Sequence, residues 1–359
     1  MNKFSFMIHP LDVHDFARKF PIAEKIPDRL LENLFKFSPP VKTSHISGIK
    51  SKYAEAEGYF VACPLTTRQM LKLPEKYVLQ KIISAGRMAE KLGAQILGLG
   101  AMTSVVGDAG ITVAKNLHIP VTTGNSYTVF TALEGTRKAA EIMGIDLANA
   151  EILIVGATGA IGAICARIMA KEARYITLAA RNKQRLENLA RQILVESGLA
   201  VGITTNIQQA LCKADIVITV TSSAETVIEP GYLKSGAVVC DVARPRDVSK
   251  RVAEKRDDVL VIEGGMVEVP GDVCFNFNFG YPPKLALACM AETMVLALEG
   301  KFESYTLGRN LTVEQVEEIG RLAKKHGFKL AGFRSFERPV DVSQIEKIRE
   351  RALAKKIAL

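Results

Sequence analysis

Residues 151–162 constrain what this chain can fold into more tightly than any other stretch. Glu151-Ile-Leu-Ile-Val155 is a short apolar run, and Gly156-Ala-Thr-Gly-Ala-Ile-Gly162 follows it without a break. An apolar run of that length ending in glycine reads as a buried strand, and Ile161 to Lys171 reads as a helix. Glycines suit a strand-to-helix turn for a steric reason. A side chain there would block the turn, an approaching phosphate, or the packing of helix on strand. The start of the helix then offers unpaired N–H groups to an anion.

The pattern continues downstream. Tyr175-Ile-Thr-Leu-Ala-Ala180 reads as a second strand and Asn182 to Leu194 as a second helix. Asp215-Ile-Val-Ile-Thr-Val220, Ala237-Val-Val-Cys-Asp241 and Asp258-Val-Leu-Val-Ile262 supply three more strands. Five strands with intervening helices predict a doubly wound dinucleotide-binding (Rossmann) domain over 151–280. The second strand ends Ala179-Ala-Arg181-Asn182-Lys183, without the acid that would hold a ribose 2′-hydroxyl. An arginine there suits a 2′-phosphate, so the expected cofactor is NADPH. The candidate cofactor residues are Gly156, Thr158, Gly159, Ala160, Ile161, Gly162, Arg181 and Asn182. Thr221 and Ser222 join them at the end of the third strand, and Gly264 and Gly265 after the last. That glycine pair either admits the nicotinamide or makes a plain turn.

Upstream, residues 1–50 read as short strands and loops broken by Pro10, Pro21, Pro27 and Pro39-Pro40. Glu75 to Leu92 reads as a helix with Val78, Leu79, Ile82, Ile83 and Met88 on one face. Gln95 to Gly100 and Val121-Thr122 read as strands, and Ser126 can cap a helix running to about Met143. Alternating strands and helices predict an α/β substrate domain with a parallel sheet over 1–150, the boundary falling at Asn149 or Ala150. Residues 281–359 read as helical. Pro283 opens a helix that passes through Cys289 and closes at Gly300, and Thr312-Val-Glu-Gln315 carries a capping signature. The last helix, from Ile345, mixes Ile345, Ile348, Leu353 and Ile357 with Lys347, Arg349, Arg351, Lys355 and Lys356.

Composition excludes several classes. No apolar run reaches the roughly 20 residues a membrane span needs, and His9-Pro10 cuts short the only N-terminal one. The six cysteines are scattered, so free thiols in a cytoplasmic protein are expected rather than a disulfide framework. The five histidines form no pair or Cys/His cluster, and no metal site is expected. The net charge of +9 permits an acidic protein, anionic lipid or nucleic acid as a partner, or is simply a solvated surface.

Spacing alone selects no catalytic residue. Cys289 lies in Lys284-Leu-Ala-Leu-Ala-Cys289-Met-Ala-Glu292, where a lone cysteine reads as a small core hydrophobe. The chain nevertheless resembles the cyanobacterial long-chain acyl-[acyl-carrier-protein] reductases through nearly all of residues 1–330. The likeness includes Thr122-Thr-Gly-Asn125, Gly156 to Gly162, Ala180-Arg-Asn182 and Gly264-Gly-Met-Val-Glu268. It continues through Cys289 to Gly300, Gly308-Arg-Asn-Leu-Thr312 and His326-Gly-Phe328. The resemblance implies that Cys289 is the nucleophile that carries an acyl group from acyl carrier protein or acyl-CoA, which NADPH reduces to a fatty aldehyde. It makes Thr123, Gly124 and Asn125 candidate substrate contacts. A thiol near its free pKa of about 8.5 needs activation by a cation, a helix terminus or a base. Glu292, one turn on, would oppose thiolate formation.

The chain departs from the family at Val242-Ala-Arg-Pro-Arg246, over 272–284, and in a tail beyond about 333. An acidic carrier suits the positive charge, and nucleic acid is not expected. The basic tail either rests on anionic membrane or packs as an ordinary helix. Two alternatives stay open. A shikimate- or glutamyl-tRNA-reductase-like polar-acid dehydrogenase shares the architecture, with Cys63 as the only N-terminal thiol for the latter. A non-enzymatic NADPH sensor would also keep the fold.

Overall fold

The computed structural model describes residues 1–18, 25–221, 223, 226–243 and 246–357. The first stretch carries β1 (Asn2–Ile8), α1 (Asp28–Phe37), β2 (Val41–Lys50), β3 (Glu55–Ala62), α2 (Thr67–Lys72), α3 (Glu75–Lys91), β4 (Ile96–Leu99), α4 (Ile111–Lys115), β5 (Val121–Thr122) and α5 (Asn125–Met143). The middle carries β6 (Glu151–Val155), α6 (Ala160–Met169), β7 (Tyr175–Ala179), α7 (Lys183–Ser197), β8 (Gly202–Thr204), α8 (Ile207–Leu211), β9 (Ile216–Thr219), β10 (Val238–Asp241), α9 (Lys250–Lys255) and β11 (Leu260–Glu263). The last carries β12 (Met266–Glu268), β13 (Gly271–Cys274), β14 (Leu285–Leu287), α10 (Ala288–Glu299), α11 (Val313–His326), β15 (Lys329–Leu330), β16 (Phe333–Ser335), β17 (Arg338–Val340) and α12 (Val342–Ile357).

The chain divides into two compact units. One is Met1–Tyr127 with Val267–Leu311 and Glu317–Lys329; the other is Thr128–Met266 with Thr312–Val316 and Leu330–Leu359. These units cut the sequence differently from blocks 1–150, 151–280 and 281–359. The change of unit falls inside the first turn of α5, and the third block is shared between both.

The first unit is built on a six-stranded sheet in the order β13-β2-β3-β1-β4-β5. β1 runs parallel to β3 and β4, and β4 parallel to β5. β2 is antiparallel to β3 and to β13, so this sheet is mixed rather than all-parallel. The short connection between β2 and β3 allows only a hairpin, because a parallel pair needs a crossover of a dozen or more residues. On α3, Val78, Ile82, Ala85 and Ala89 recur at helical spacing and are wholly buried in the core with Leu97, Leu99 and Val61. The proline-rich start also holds α1, a helix not anticipated there. Pro27 is its N-cap, where a missing N–H costs nothing.

The second unit is a six-stranded, all-parallel sheet in the order β11-β10-β9-β6-β7-β8. β6 is central, and the strand order reverses beside it, which places the ligand crevice at the carboxyl ends of β6 and β9. Five strands were expected. The sixth, β8, has three residues, too few to leave a periodic signal. α12 belongs to this unit, with Ile345 and Ala352 buried. Its Lys355 pairs with Asp257 at 2.8 Å and Asp258 at 3.2 Å, while Leu353 and Ile357 stay exposed.

Candidate functional site

In the second unit the glycine loop does what its spacing implies. Gly156 sits at φ +81°, and a Cβ there would lie 2.9 Å from the Val220 carbonyl oxygen. At Gly162 a Cβ would lie 2.5 Å from the Gly156 oxygen and 2.9 Å from the Ala157 Cα, so α6 packs this close to the turn only without a side chain. Gly159, the N-cap of α6, is exposed and has one backbone neighbour, at 3.3 Å, around its missing Cβ. The first glycine makes the turn and the third the packing, while the middle one leaves bare backbone at a helix start. Thr158, Ala160 and Ile161 around it are half-buried. This cradle fits a pyrophosphate.

At the end of β7, Arg181, Asn182 and Lys183 are all exposed. Asn182 is the N-cap of α7, its side-chain oxygen accepting from the Arg185 N–H at 3.0 Å. Lys183 lies 3.9 Å from Glu187. Arg181 has no ion pair among the described residues, which leaves its guanidinium available to a phosphate.

The loop after β9 is shaped by a residue that sequence reading missed. Asp247, fully buried, accepts from the Thr219 hydroxyl at 2.5 Å, the Thr221 N–H at 2.9 Å and the Thr221 hydroxyl. The Thr221 side chain is therefore used inside the protein. Ser222 lies outside the described residues. Gly264 has an internal reason as well: a Cβ there would meet Val242 at 2.9 Å, Ala132 at 3.3 Å and the Cys240 sulfur at 3.4 Å. Gly265 follows at φ +89°. Only a lone aspartate after Arg246 could have signalled the Asp247 network.

In the first unit the helix carrying Cys289 begins later than expected. Pro283 and Lys284 lie in a loop, Leu285–Leu287 is the strand β14, and an extended Leu287 is the N-cap of α10. Cys289 is thus the second residue of a twelve-residue helix, half-buried at its amino end, and not a residue deep in an apolar helix. Gly124 lies directly against it. At φ +75°, a Cβ on Gly124 would fall 2.3 Å from the Cys289 Cα and 2.5 Å from its carbonyl oxygen.

Glu292 explains how that loop is held. Its carboxylate is fully buried and accepts four hydrogen bonds: from Thr122 Oγ1 at 2.5 Å, Ser126 Oγ at 2.5 Å, Thr306 Oγ1 at 2.7 Å and the Tyr127 N–H at 2.9 Å. Four donors offset the desolvation of a buried charge. The Tyr127 bond brings a carboxylate to the first turn of α5, so a side chain from another helix does the work expected of Ser126 as a cap. Thr123 is buried, and its hydroxyl donates to the Thr306 carbonyl at 2.9 Å, so that side chain is engaged inside the protein. Asn125, the first residue of α5, is half-buried, with no hydrogen-bond partner for its carboxamide among the described residues.

The other thiols offer less. Cys63, Cys165 and Cys240 are buried; burial pushes the Cys63 thiol up to about 12 and raises Cys165 further. Cys212 and Cys274 are exposed, outside any helix start.

Comparison with known proteins gives one match confined to the second unit and others that run over most of the chain. The family model described as Shikimate / quinate 5-dehydrogenase matches residues 137–263, a stretch that contains all six strands of the Rossmann sheet. Aminotransferase PigE of a Serratia species is 30% identical, the match covering 96% of this chain and 41% of PigE. The chain thus spans about two-fifths of that relative. The long-chain acyl-[acyl-carrier-protein] reductase of Synechococcus elongatus is 31% identical over 70% of this chain and 76% of its own length. The glutamyl-tRNA reductase of Colwellia psychrerythraea is 28% identical over 70% of this chain and 56% of its own. With the cradle around Gly159, these matches make the second unit a nicotinamide-dinucleotide-binding Rossmann domain.

Proposed function

The chain belongs to the family of the long-chain acyl-[acyl-carrier-protein] reductases, and on that premise we propose that it reduces an acyl thioester to an aldehyde through an acyl group held on Cys289. The observation that carries this reading is the position of Cys289. It is the second residue of a helix, half-buried, with the backbone of Gly124 laid against it. The partial positive charge at the start of α10 favours an anion at that position, which makes the helix terminus the activator. Glu292 is not the base, since all four of its bonds serve the loop and α5.

The Cys289 thiolate attacks the thioester carbonyl carbon, a new C–S bond forms, and the donor thiolate leaves. NADPH, when bound, supplies the hydride for the acyl carbon. The hemithioacetal on Cys289 then collapses, its C–S bond breaks, and aldehyde and thiolate are released. In the second unit, Gly159 and the start of α6 would hold the pyrophosphate and Arg181 the 2′-phosphate that separates NADPH from NADH. The acyl donor is a carrier-protein or coenzyme A thioester. A glutamyl-tRNA-reductase-like chemistry finds no support in Cys63, which is wholly buried with its thiol held protonated.

The test is NADPH oxidation by the purified protein on a long-chain acyl thioester, with aldehyde measured directly and intact mass recorded without NADPH. Wild type should yield aldehyde and an acyl adduct. Cys289→Ser should keep NADPH binding, form no adduct, and lose turnover by ~10³-fold or more, about 4 kcal/mol of barrier. A serine variant that still turns over would overturn the covalent route.

A further inference from the structure

α1 is fastened to the first unit along one side and bare along another. Leu31 is buried, in a small cluster with Val13, Ile26 and Phe35 that is separate from the main core. Glu32 is paired with Arg68 of α2, and its carbonyl accepts from Gln69 at 2.9 Å. Tyr77 and Lys81 of α3 donate to the carbonyls of Lys36 and Ser38 at 2.8 and 2.9 Å. The helix is therefore a fixed part of the surface.

Its outer side is apolar. Leu30, Leu34 and Phe37, at spacings of four and three, are 61%, 57% and 73% exposed. That spacing places them on one stripe of the helix. Leu71, on the α2 that Glu32 ties to α1, is 59% exposed. Single exposed leucines are ordinary on a protein surface, whereas a stripe of large ones on a fixed helix marks an interaction site. The two segments that carry these residues are rich in cations. Residues 25–37 and 68–81 hold seven lysines and arginines against three acids, one of them the Glu32 already paired with Arg68. The Lys36 ammonium lies over the Phe37 ring, 5.3 Å from its centre.

We infer that this face of α1 lies on an anionic lipid bilayer, with Leu30, Leu34 and Phe37 among the acyl chains and the lysines of these segments at the headgroups. Aliphatic stripe and flanking cations are the two components of interfacial helix binding. A carboxylate-bearing protein surface would match the cations and leave the leucines in water. A bilayer matches both. No helix among the described residues is long and apolar enough to cross a membrane, so the contact is peripheral. The inference rests on exposure and charge and is independent of the chemistry proposed for Cys289.

The experiment is flotation of the full chain with vesicles of equal parts phosphatidylglycerol and phosphatidylcholine, and with vesicles of phosphatidylcholine alone. Wild type should float with the anionic vesicles, less so in high salt, and weakly with the zwitterionic ones. Leu30→Ser/Leu34→Ser/Phe37→Ser should lower the bound fraction at least about tenfold. Its unfolding midpoint and NADPH affinity should stay at wild-type values, since all three side chains are in solvent. Lys347→Glu/Arg351→Glu, on the basic helix α12, should float as wild type does. Three results would overturn the inference. Wild type stays at the bottom; or the triple variant floats normally while Lys347→Glu/Arg351→Glu does not; or wild type is a dimer that the triple substitution dissociates, which assigns the stripe to a second copy. Failure here with intact aldehyde formation leaves the Cys289 chemistry standing.

Discussion

At Gly124 a methyl group would sit 2.3 Å from the Cys289 Cα, so the loop before α5 can lie against the cysteine only while position 124 lacks a side chain. Neither partner was legible as such, because they are 165 positions apart in sequence. Glu292 carried the opposite lesson. Read by its spacing from Cys289 it is an acid that opposes a thiolate, yet its oxygens are committed to Thr122, Ser126, Tyr127 and Thr306. On the cofactor side, three neighbouring polar residues separate by their partners. Asn182 caps α7, Lys183 lies near Glu187, and Arg181 has no ion pair among the described residues. Arg181→Ala should therefore raise KM for NADPH by ~10–100-fold, the worth of about 1.5–3 kcal/mol in charge-assisted hydrogen bonds. KM for NADH should hardly change. Steady-state kinetics with both cofactors checks this, and equal effects would remove the 2′-phosphate from Arg181.

Elements were legible where their signals are local. The strand-glycine-helix unit at 151–169 and the capping box at Thr312 and Gln315 need only neighbours in sequence, and both formed as expected. Elements set by distant pairing were not. β14 looked like the first turn of a helix opened by Pro283, and β2 lay among the short strands and loops read over 1–50, with nothing to mark it as antiparallel in a domain expected to hold a parallel sheet. α12 shows how a charged element is fixed. Burial alone would raise the Asp258 carboxyl; the Arg256 guanidinium and the Lys355 ammonium beside it outweigh burial and hold the group well below the usual carboxylate range. A carboxyl depressed in the folded state stabilises fully above its unfolded value of about 3.9, and that contribution fades as pH falls through the lower folded value. Arg256 also donates to the carbonyls of Pro230 and Leu233, both at 2.7 Å. Arg256→Ala would leave the buried Asp258 carboxylate stranded but for the half-exposed Lys355, and should cost about 1.5–3 kcal/mol at neutral pH. The loss should shrink below about pH 4, where the stranded group takes up a proton. Urea unfolding at neutral and acid pH tests both parts; a cost independent of pH would mean that Arg256 acts through its packing and carbonyl bonds alone.

For the molecule as a whole, charge distinguishes among acyl donors more sharply than fold does. The chain carries +9 and the proposed carrier is acidic, so their attraction should speed encounter without entering the chemical step. Raising salt from about 0.01 M to about 0.1 M shortens the Debye length from about 30 Å to about 10 Å, which screens a field spread over many surface lysines while sparing close contacts. With acyl carrier protein as donor, kcat/KM should fall several-fold over that range and kcat should stay level. An uncharged donor, the N-acetylcysteamine thioester of the same acyl group, should give a flat kcat/KM, because it has no charge to be steered. Measured side by side, the two donors separate docking from catalysis. Parallel declines would locate the salt effect in the active site, on Cys289 or the cofactor phosphates, and would leave the basic surface without a part in carrier recognition.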